Sequence, residues 1–295
     1  MKAKADNTLT LAGGRSLGYG LYGDPDGMPL IYCHGFPGSR LEAKLAHQEA
    51  CRQAIKIIAV ERPGYGLSEP APTLLDLAQW ARSDMAQLLA HLKLERFALM
   101  AVSGGAPAAL ALAHAFAGRV TGLTLVCPLP PLTDPAFQAL LSPAKRLALR
   151  LALAAKGAIA PLVGLVAQHP RLVLRIFRLL AGRSDREVLA RSELQEVISL
   201  SLEQALWRGG AGCSWDMRAY SSPLPFPLTS CATPTTLFHG EEDNIVPPLA
   251  SHFYQQQLPH CRKAHFLSDA GHFSLPLYRM AMILTAVRET RGTEG

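Results

Sequence analysis

Three polar side chains, far apart along the chain, have the types and settings that nucleophilic acyl transfer needs: Ser103, Asp243 and His272, in that order. Ser103 stands in Ala101-Val102-Ser103-Gly104-Gly105, Asp243 closes Gly240-Glu241-Glu242-Asp243, and His272 lies in Gly271-His272-Phe273. A serine hydroxyl is a weak nucleophile until a base takes its proton during attack. A histidine, titrating near neutrality, can accept that proton and return it to the leaving group. A carboxylate can hold the imidazole tautomer and stabilise the imidazolium. Glycine-flanked serines also make ordinary turns, so the Ser-Gly-Gly alone says little; the other two segments supply the partners it lacks.

The surrounding sequence shows how these side chains are positioned. A largely apolar run, Arg96-Phe97-Ala98-Leu99-Met100-Ala101-Val102, leads into Ser103, and helix-forming residues 106–117 follow. This reads as strand, sharp turn, helix, with the hydroxyl held above the sheet edge near the N–H groups that open the helix. Asp243 follows a strand-like stretch at 234–240, and His272 follows another at 264–267 and opens a loop into a closing helix. Each residue therefore sits beyond the carboxyl end of its own strand, where open parallel sheets place ligands. Further strands are predicted at 16–23, 30–33, 55–60 and 120–127, with Asp24-Pro25-Asp26-Gly27 as a turn. Helices are predicted over 39–54 and 73–92, the second with Leu77, Trp80, Ala81, Met85, Leu88 and Leu89 at helical spacing. The alternation predicts an α/β fold, with a mostly parallel central sheet and helices on both faces.

After Cys127 the alternation stops. Residues 128–227 show no clear strand and are helical and proline-punctuated; the rhythm resumes at Pro234. The chain thus divides into a first core part (1–128), a helical cap or lid (129–227) and a second core part (228–295). Charge marks the cap as well. Residues 135–184 hold no Asp or Glu but contain Lys145, Arg146, Arg150, Lys156, Arg171, Arg175, Arg178 and Arg183. These eight positive charges exceed the formal net +6 of the whole chain, so the remainder carries −2. Arg171, Arg175 and Arg178 recur at i, i+4 and i+7, which suits either a solvated helix face or weak association with anionic lipid or an anionic substrate. The longest uncharged stretch of the cap, 157–170, is too short and proline-containing for a membrane span. No nucleic-acid reading motif is present.

A chain of 295 residues, 49% hydrophobic and 18% charged, can bury a large core and is not of disordered composition. Its six cysteines are scattered, with no C-x-x-C pair, and read as reduced thiols. Residues 1–7 lack the apolar run of a signal peptide, so a cytoplasmic enzyme is expected. No His or carboxylate cluster has metal-ligand spacing, and neither metal nor cofactor is expected. Nothing in the sequence signals an oligomeric state.

Taken together, His34-Gly35-Phe36-Pro37-Gly38-Ser39-Arg40, Glu61-Arg62-Pro63-Gly64-Tyr65-Gly66-Leu67-Ser68, the Ser103 turn, residues 240–247 and Ala270-Gly271-His272 resemble the α/β-hydrolase superfamily, specifically its capped bacterial serine hydrolases of the esterase type. Two departures are Ala101, where the family usually has Gly, and Glu61, where it usually has Asp before Arg-Pro-Gly. The resemblance implies the α/β-hydrolase fold with an inserted helical cap, a Ser103–Asp243–His272 triad, and an oxyanion hole made by the backbone N–H groups of Gly104 and Phe36. It implies a small-molecule ester as substrate, cleaved through an acyl-serine intermediate, with Phe36 and His34 at the substrate. His34 also suits a structural role in the oxyanion loop. The same site serves C–C bond, lactone, thioester or N-terminal amide cleavage in other members, and a non-catalytic binding member is a further alternative. Asp134 is a rival for the acid. Asp269 suits loop hydrogen bonding, and His239 suits the packed core.

Overall fold

The computed structural model describes residues 3–72, 75–155, 165–166 and 169–290. Lys156, most of the uncharged stretch 157–170, and Thr73 at the start of the predicted helix lie outside them. Strands β1 (Lys4–Thr10), β2 (Ser16–Gly23), β3 (Met28–Cys33), β4 (Ile55–Val60), β5 (Phe97–Val102), β6 (Val120–Val126), β7 (Thr235–Gly240) and β8 (Cys261–Leu267) form one sheet in the order β1-β2-β4-β3-β5-β6-β7-β8. The first two pairings, β1–β2 and β2–β4, are antiparallel; every other pairing is parallel.

The central strands are buried on both faces and read as near-continuous apolar runs, as parallel strands covered by helices do. Alternation sorts their side chains. Ile31, Cys33, Leu99 and Ala101 join one core with the helix Ala106–Ala115, while Leu30, Tyr32, Ala98 and Met100 join another with Ile283, Leu284 and Val287 of the C-terminal helix Met280–Glu289. Chain order reverses on either side of β3, which lies between β4 and β5. That is the switch point at which doubly wound sheets open a crevice. Register sets the crevice level: Cys33 pairs with Ala101, Val102 with Val126, Val126 with Phe238, and Gly240 with Leu267. The loops after β3, β5, β7 and β8 therefore leave one common edge.

Between β6 and β7 the described residues are helical: Pro135–Leu140, Pro143–Ala154, Pro170–Leu180, Arg183–Leu189, Ser192–Leu206 and Ala211–Tyr220. Three of these helices open with proline in the first turn, where a missing N–H costs nothing. Among the described residues no helix is long and apolar enough to cross a membrane.

Local expectations needed revision in three places. Strand β1 carries no strand signal in its sequence because its residues are mostly polar and half-exposed, as an edge strand permits. The helix expected over 39–54 begins as a 3-10 turn, Arg40–Ala46, capped by Ser39, before His47–Arg52 continues. The helix expected over 73–92 starts only after the Asp76 capping box and contains a π-type turn at Ala81–Met85. There Asp84 is turned inward to Arg15, at 2.7 Å.

Candidate active site

Strand β5 ends at Val102, and Ser103 takes a left-handed φ of +52° before the helix Ala106–Ala115 begins. A non-glycine residue there is strained and persists only where its surroundings fix it. Here the surroundings are tight. A Cβ on Gly104 would meet Tyr220 Oη at 2.5 Å and Phe36 Cβ at 2.6 Å, and one on Gly105 would meet the Cys33 carbonyl at 2.3 Å. Ala101 is fully buried, so its methyl fits beneath the turn.

Beyond β7, Asp243 Oδ1 accepts the N–H groups of Ile245 and Val246, both at 2.8 Å, which fixes the carboxylate. Its Oδ2 accepts from His272 Nδ1 at 2.7 Å. His239, expected to be a packed core residue, is buried but also serves Asp243. Its Nδ1 accepts from Ser251 Oγ at 2.7 Å, while Nε2 donates to the Val246 carbonyl at 2.8 Å and lies 3.3 Å from Asp243 Oδ2. Burial disfavours the Asp243 charge, but His272 and His239 outweigh it and hold the carboxyl below the usual range. Burial likewise opposes the His272 imidazolium; the charges of Asp243, Asp185 and Glu42 prevail and raise its pKa above the ordinary imidazole value.

The sequence rivals are engaged elsewhere. Asp134 caps the helix Pro135–Leu140 through Ala136 N–H at 2.8 Å, and exposed Asp269 pairs with Arg279 at 2.5 Å. Donor atoms of Cys127, Asp243 and His272 lie within 4.8 Å of one another. Two of them already share a hydrogen bond, and burial followed by the Asp243 charge pushes the Cys127 thiol well up, away from the thiolate a metal would need.

Ser103, His272 and Phe36 line one cavity of about 110 Å³, together with Phe177, Val197 and Ile198. Among the described residues no hydrogen bond joins Ser103 Oγ to His272; such contacts tighten as the reacting complex forms. Phe36 N lies 3.3 Å from where a Gly104 Cβ would stand, so the two backbone segments expected to donate to an oxyanion run side by side. His34 does not line the cavity. It is fully buried, with Nδ1 donating to the Gly35 carbonyl at 2.8 Å and Nε2 facing Arg62 N–H at 3.4 Å. Burial and Arg62 lower its pKa well below the usual value, so the ring is neutral support for the loop instead of a substrate contact.

Sequence reasoning assigned no role to six residues that shape this site: Glu42, Arg62, Tyr65, Asp185, Asp216 and Tyr220. Glu42 is half-buried in the cavity wall and accepts Gly35 N–H at 2.8 Å. Burial pushes its carboxyl up to about 7, against the pull of Gly35 N–H, Arg62, His272 and Tyr32. Arg62 donates to the carbonyls of His34 at 2.7 Å and Gly35 at 2.9 Å, and is clamped by both oxygens of Asp216 at 2.7 and 2.6 Å. Tyr65 completes that cluster on Asp216 at 2.8 Å, while Tyr220 holds the Gly104 carbonyl at 2.8 Å. Asp185, fully buried, accepts the N–H groups of His272 (2.7 Å), Phe273 (2.9 Å) and Ser274 (2.8 Å) and the Ser274 hydroxyl (2.9 Å). The helices between β6 and β7 thus grip both the loop after β3 and the loop after β8. The one available signal was the place of Asp185 as the first acid after the acid-free residues 135–184.

The sequence model of the family described as alpha/beta hydrolase fold matches residues 28–277. A proline iminopeptidase of Arabidopsis thaliana is 31% identical over 104 residues, 35% of this chain and 27% of that protein. A non-heme chloroperoxidase of Streptomyces lividans is 31% identical over 125 residues, 42% of this chain and 45% of that protein. The matched stretches span less than half the length of either curated relative. Among solved structures, a malate-bound thermophilic esterase of Thermogutta terrifontis is alike over 97% of this chain and 99% of its own, with a TM-score of 0.73 at 21% identity. That likeness is one of fold.

Proposed function

We propose that this chain, which belongs to the alpha/beta hydrolase fold family, is a serine hydrolase of small-molecule carboxylic esters, with residues 129–227 as its cap. The observation that carries the reading is the buried 2.7 Å Asp243–His272 bond at the rim of the cavity that Ser103 also lines. With Nδ1 committed to Asp243, the imidazole has Nε2 left for the hydroxyl proton. As that proton leaves, Ser103 Oγ bonds the ester carbon, and the carbonyl oxygen takes up negative charge. The N–H groups of Gly104 and Phe36 receive it; losing one such donor elsewhere costs about a hundred- to a thousandfold in turnover. Collapse breaks the carbon–oxygen bond to the alcohol, which His272 protonates. Water, deprotonated by the same imidazole, then releases the acid and regenerates Ser103. No step calls for a cofactor. The cytoplasm suits its reduced thiols.

The esterase relative in the fold comparison supports the ester reading, and the apolar lining from Phe177, Val197 and Ile198 suits an acyl chain. One observation favours a second reading: the Glu42 carboxylate in the cavity could hold a substrate ammonium, and a proline iminopeptidase is among the relatives. Turnover of p-nitrophenyl esters beside prolyl p-nitroanilide separates the two. Asp243→Asn lowers ester kcat about ten-thousandfold by analogy with triads elsewhere, whereas Asp134→Asn leaves it within a few-fold. The reverse ranking transfers the acid role to Asp134.

A further inference from the structure

The cap carries an outward surface that the cavity does not use. In the helix Pro170–Leu180, Val173 is buried and Phe177 turns to the cavity, packing on Phe273 with ring centres 5.3 Å apart. Its other side exposes Leu172, Ile176 and Leu179 at i, i+4 and i+7, with Leu179 78% accessible. Arg171, Arg175 and Arg178 repeat the same spacing one position away, and all three are exposed. Among the described residues no carboxylate lies within ion-pair distance of any of them. In the helix Pro143–Ala154, Leu147 and Leu151 are likewise 60% and 62% accessible, with Arg150 exposed beside them.

We infer that the helix Pro170–Leu180 forms a docking surface for an anionic lipid interface. A solvated face accounts for the arginines but not for a stripe of exposed leucines, which costs free energy in water. A basic helix with leucines beside its cations suits the boundary between phosphate headgroups and acyl chains, where each type of group finds its partner. A second copy of the chain fits poorly, because a two-fold contact through this face would bring like charges together. Nucleic acid would pair the arginines with phosphates and leave the leucines in water. The cytoplasmic leaflet, with its anionic lipids, offers both chemistries. Docking there would place the cavity-lining helix directly on the interface.

Sedimentation of the full-length Ser103→Ala protein with vesicles tests this without lipid hydrolysis, and independently of the esterase reading. Vesicles containing phosphatidylglycerol should bind it, pure phosphatidylcholine vesicles should not, and raising salt from about 0.05 to about 0.5 M should release it. Replacing Arg171, Arg175 and Arg178 by Gln should weaken binding roughly a hundredfold. Leu172→Ser with Leu179→Ser should also weaken it, while either set, placed in the wild-type background, leaves turnover of a soluble ester unchanged as proof of folding. Equal binding to both vesicle types, or none, overturns the inference. A dimer in light scattering that the leucine pair dissociates, without vesicle binding, overturns it in favour of a second copy.

Discussion

Asp185→Asn isolates what the helices between β6 and β7 do for His272, the proposed base. The substitution keeps the size and one oxygen. With Oδ1 retained on Phe273 N–H, Ser274 N–H and the Ser274 hydroxyl, the new amide group faces His272 N–H, a donor against a donor. The bond lost is charge-assisted and buried, worth about 1.5–3 kcal/mol, and His272 N–H is left without an acceptor. For a chain of this size that corresponds to a fall in Tm of roughly 5 °C. Catalysis should suffer more than stability, because the peptide carrying the imidazole is displaced; a 1 Å misplacement can cost about a hundredfold. A purely structural role would leave the titration of His272 alone. Asp185 is among the charges that raise its pKa, and the base acts only when neutral. The acid limb of kcat/KM should therefore lie above the ordinary value of about 6.5 in the wild type and move to lower pH in the variant. Steady-state kinetics from pH 5 to pH 9 read both effects. A kcat within about threefold of wild type, with the acid limb unmoved, refutes the reasoning.

Glu42 and Asp216 give two further expectations. The Glu42 carboxyl titrates higher in the folded protein than in the unfolded chain, so folding favours its protonated form and stability falls as pH rises from about 4.5 through about 7. Glu42→Gln should remove that component, about 3 kcal/mol across the window, and melting curves at pH 5 and pH 8 should differ less than in the wild type; an unchanged difference contradicts the assignment. Asp216→Ala leaves the Arg62 guanidinium buried without its carboxylate, and should cost about 3–5 kcal/mol by denaturant titration. A double change to apolar residues of similar size should recover much of this stability while still impairing turnover, because Arg62 also anchors the His34 and Gly35 carbonyls.

The parts of this molecule that were legible in sequence follow from short-range physics. Strand β5, the small residues around Ser103 and the loops ending in Asp243 and His272 each carry their signal within a few positions, and their common edge follows from the parallel order. Residues acting across long separations gave no such signal. Asp185 and Asp216 lie in helices whose local pattern shows only polarity, and their partners are 87 to 89 and 154 positions away. His239 looked like core because it is core; its second service to Asp243 depends on how the loop after β7 folds back. Glu42 sits in a 3-10 turn, where helical periodicity does not say which way a side chain points. The motif around His34 suggests a substrate contact, and only packing against Arg62 and Tyr65 turns its ring into the protein.

Mapping of a fluorophosphonate adduct by intact mass and peptide sequencing tests the acyl-enzyme chemistry most directly. The wild-type protein should gain one phosphonyl group on Ser103, at a rate that rises with pH as His272 loses its proton, and Ser103→Ala should gain none. A wild-type protein that stays unlabelled, or carries the adduct on another residue, contradicts the account.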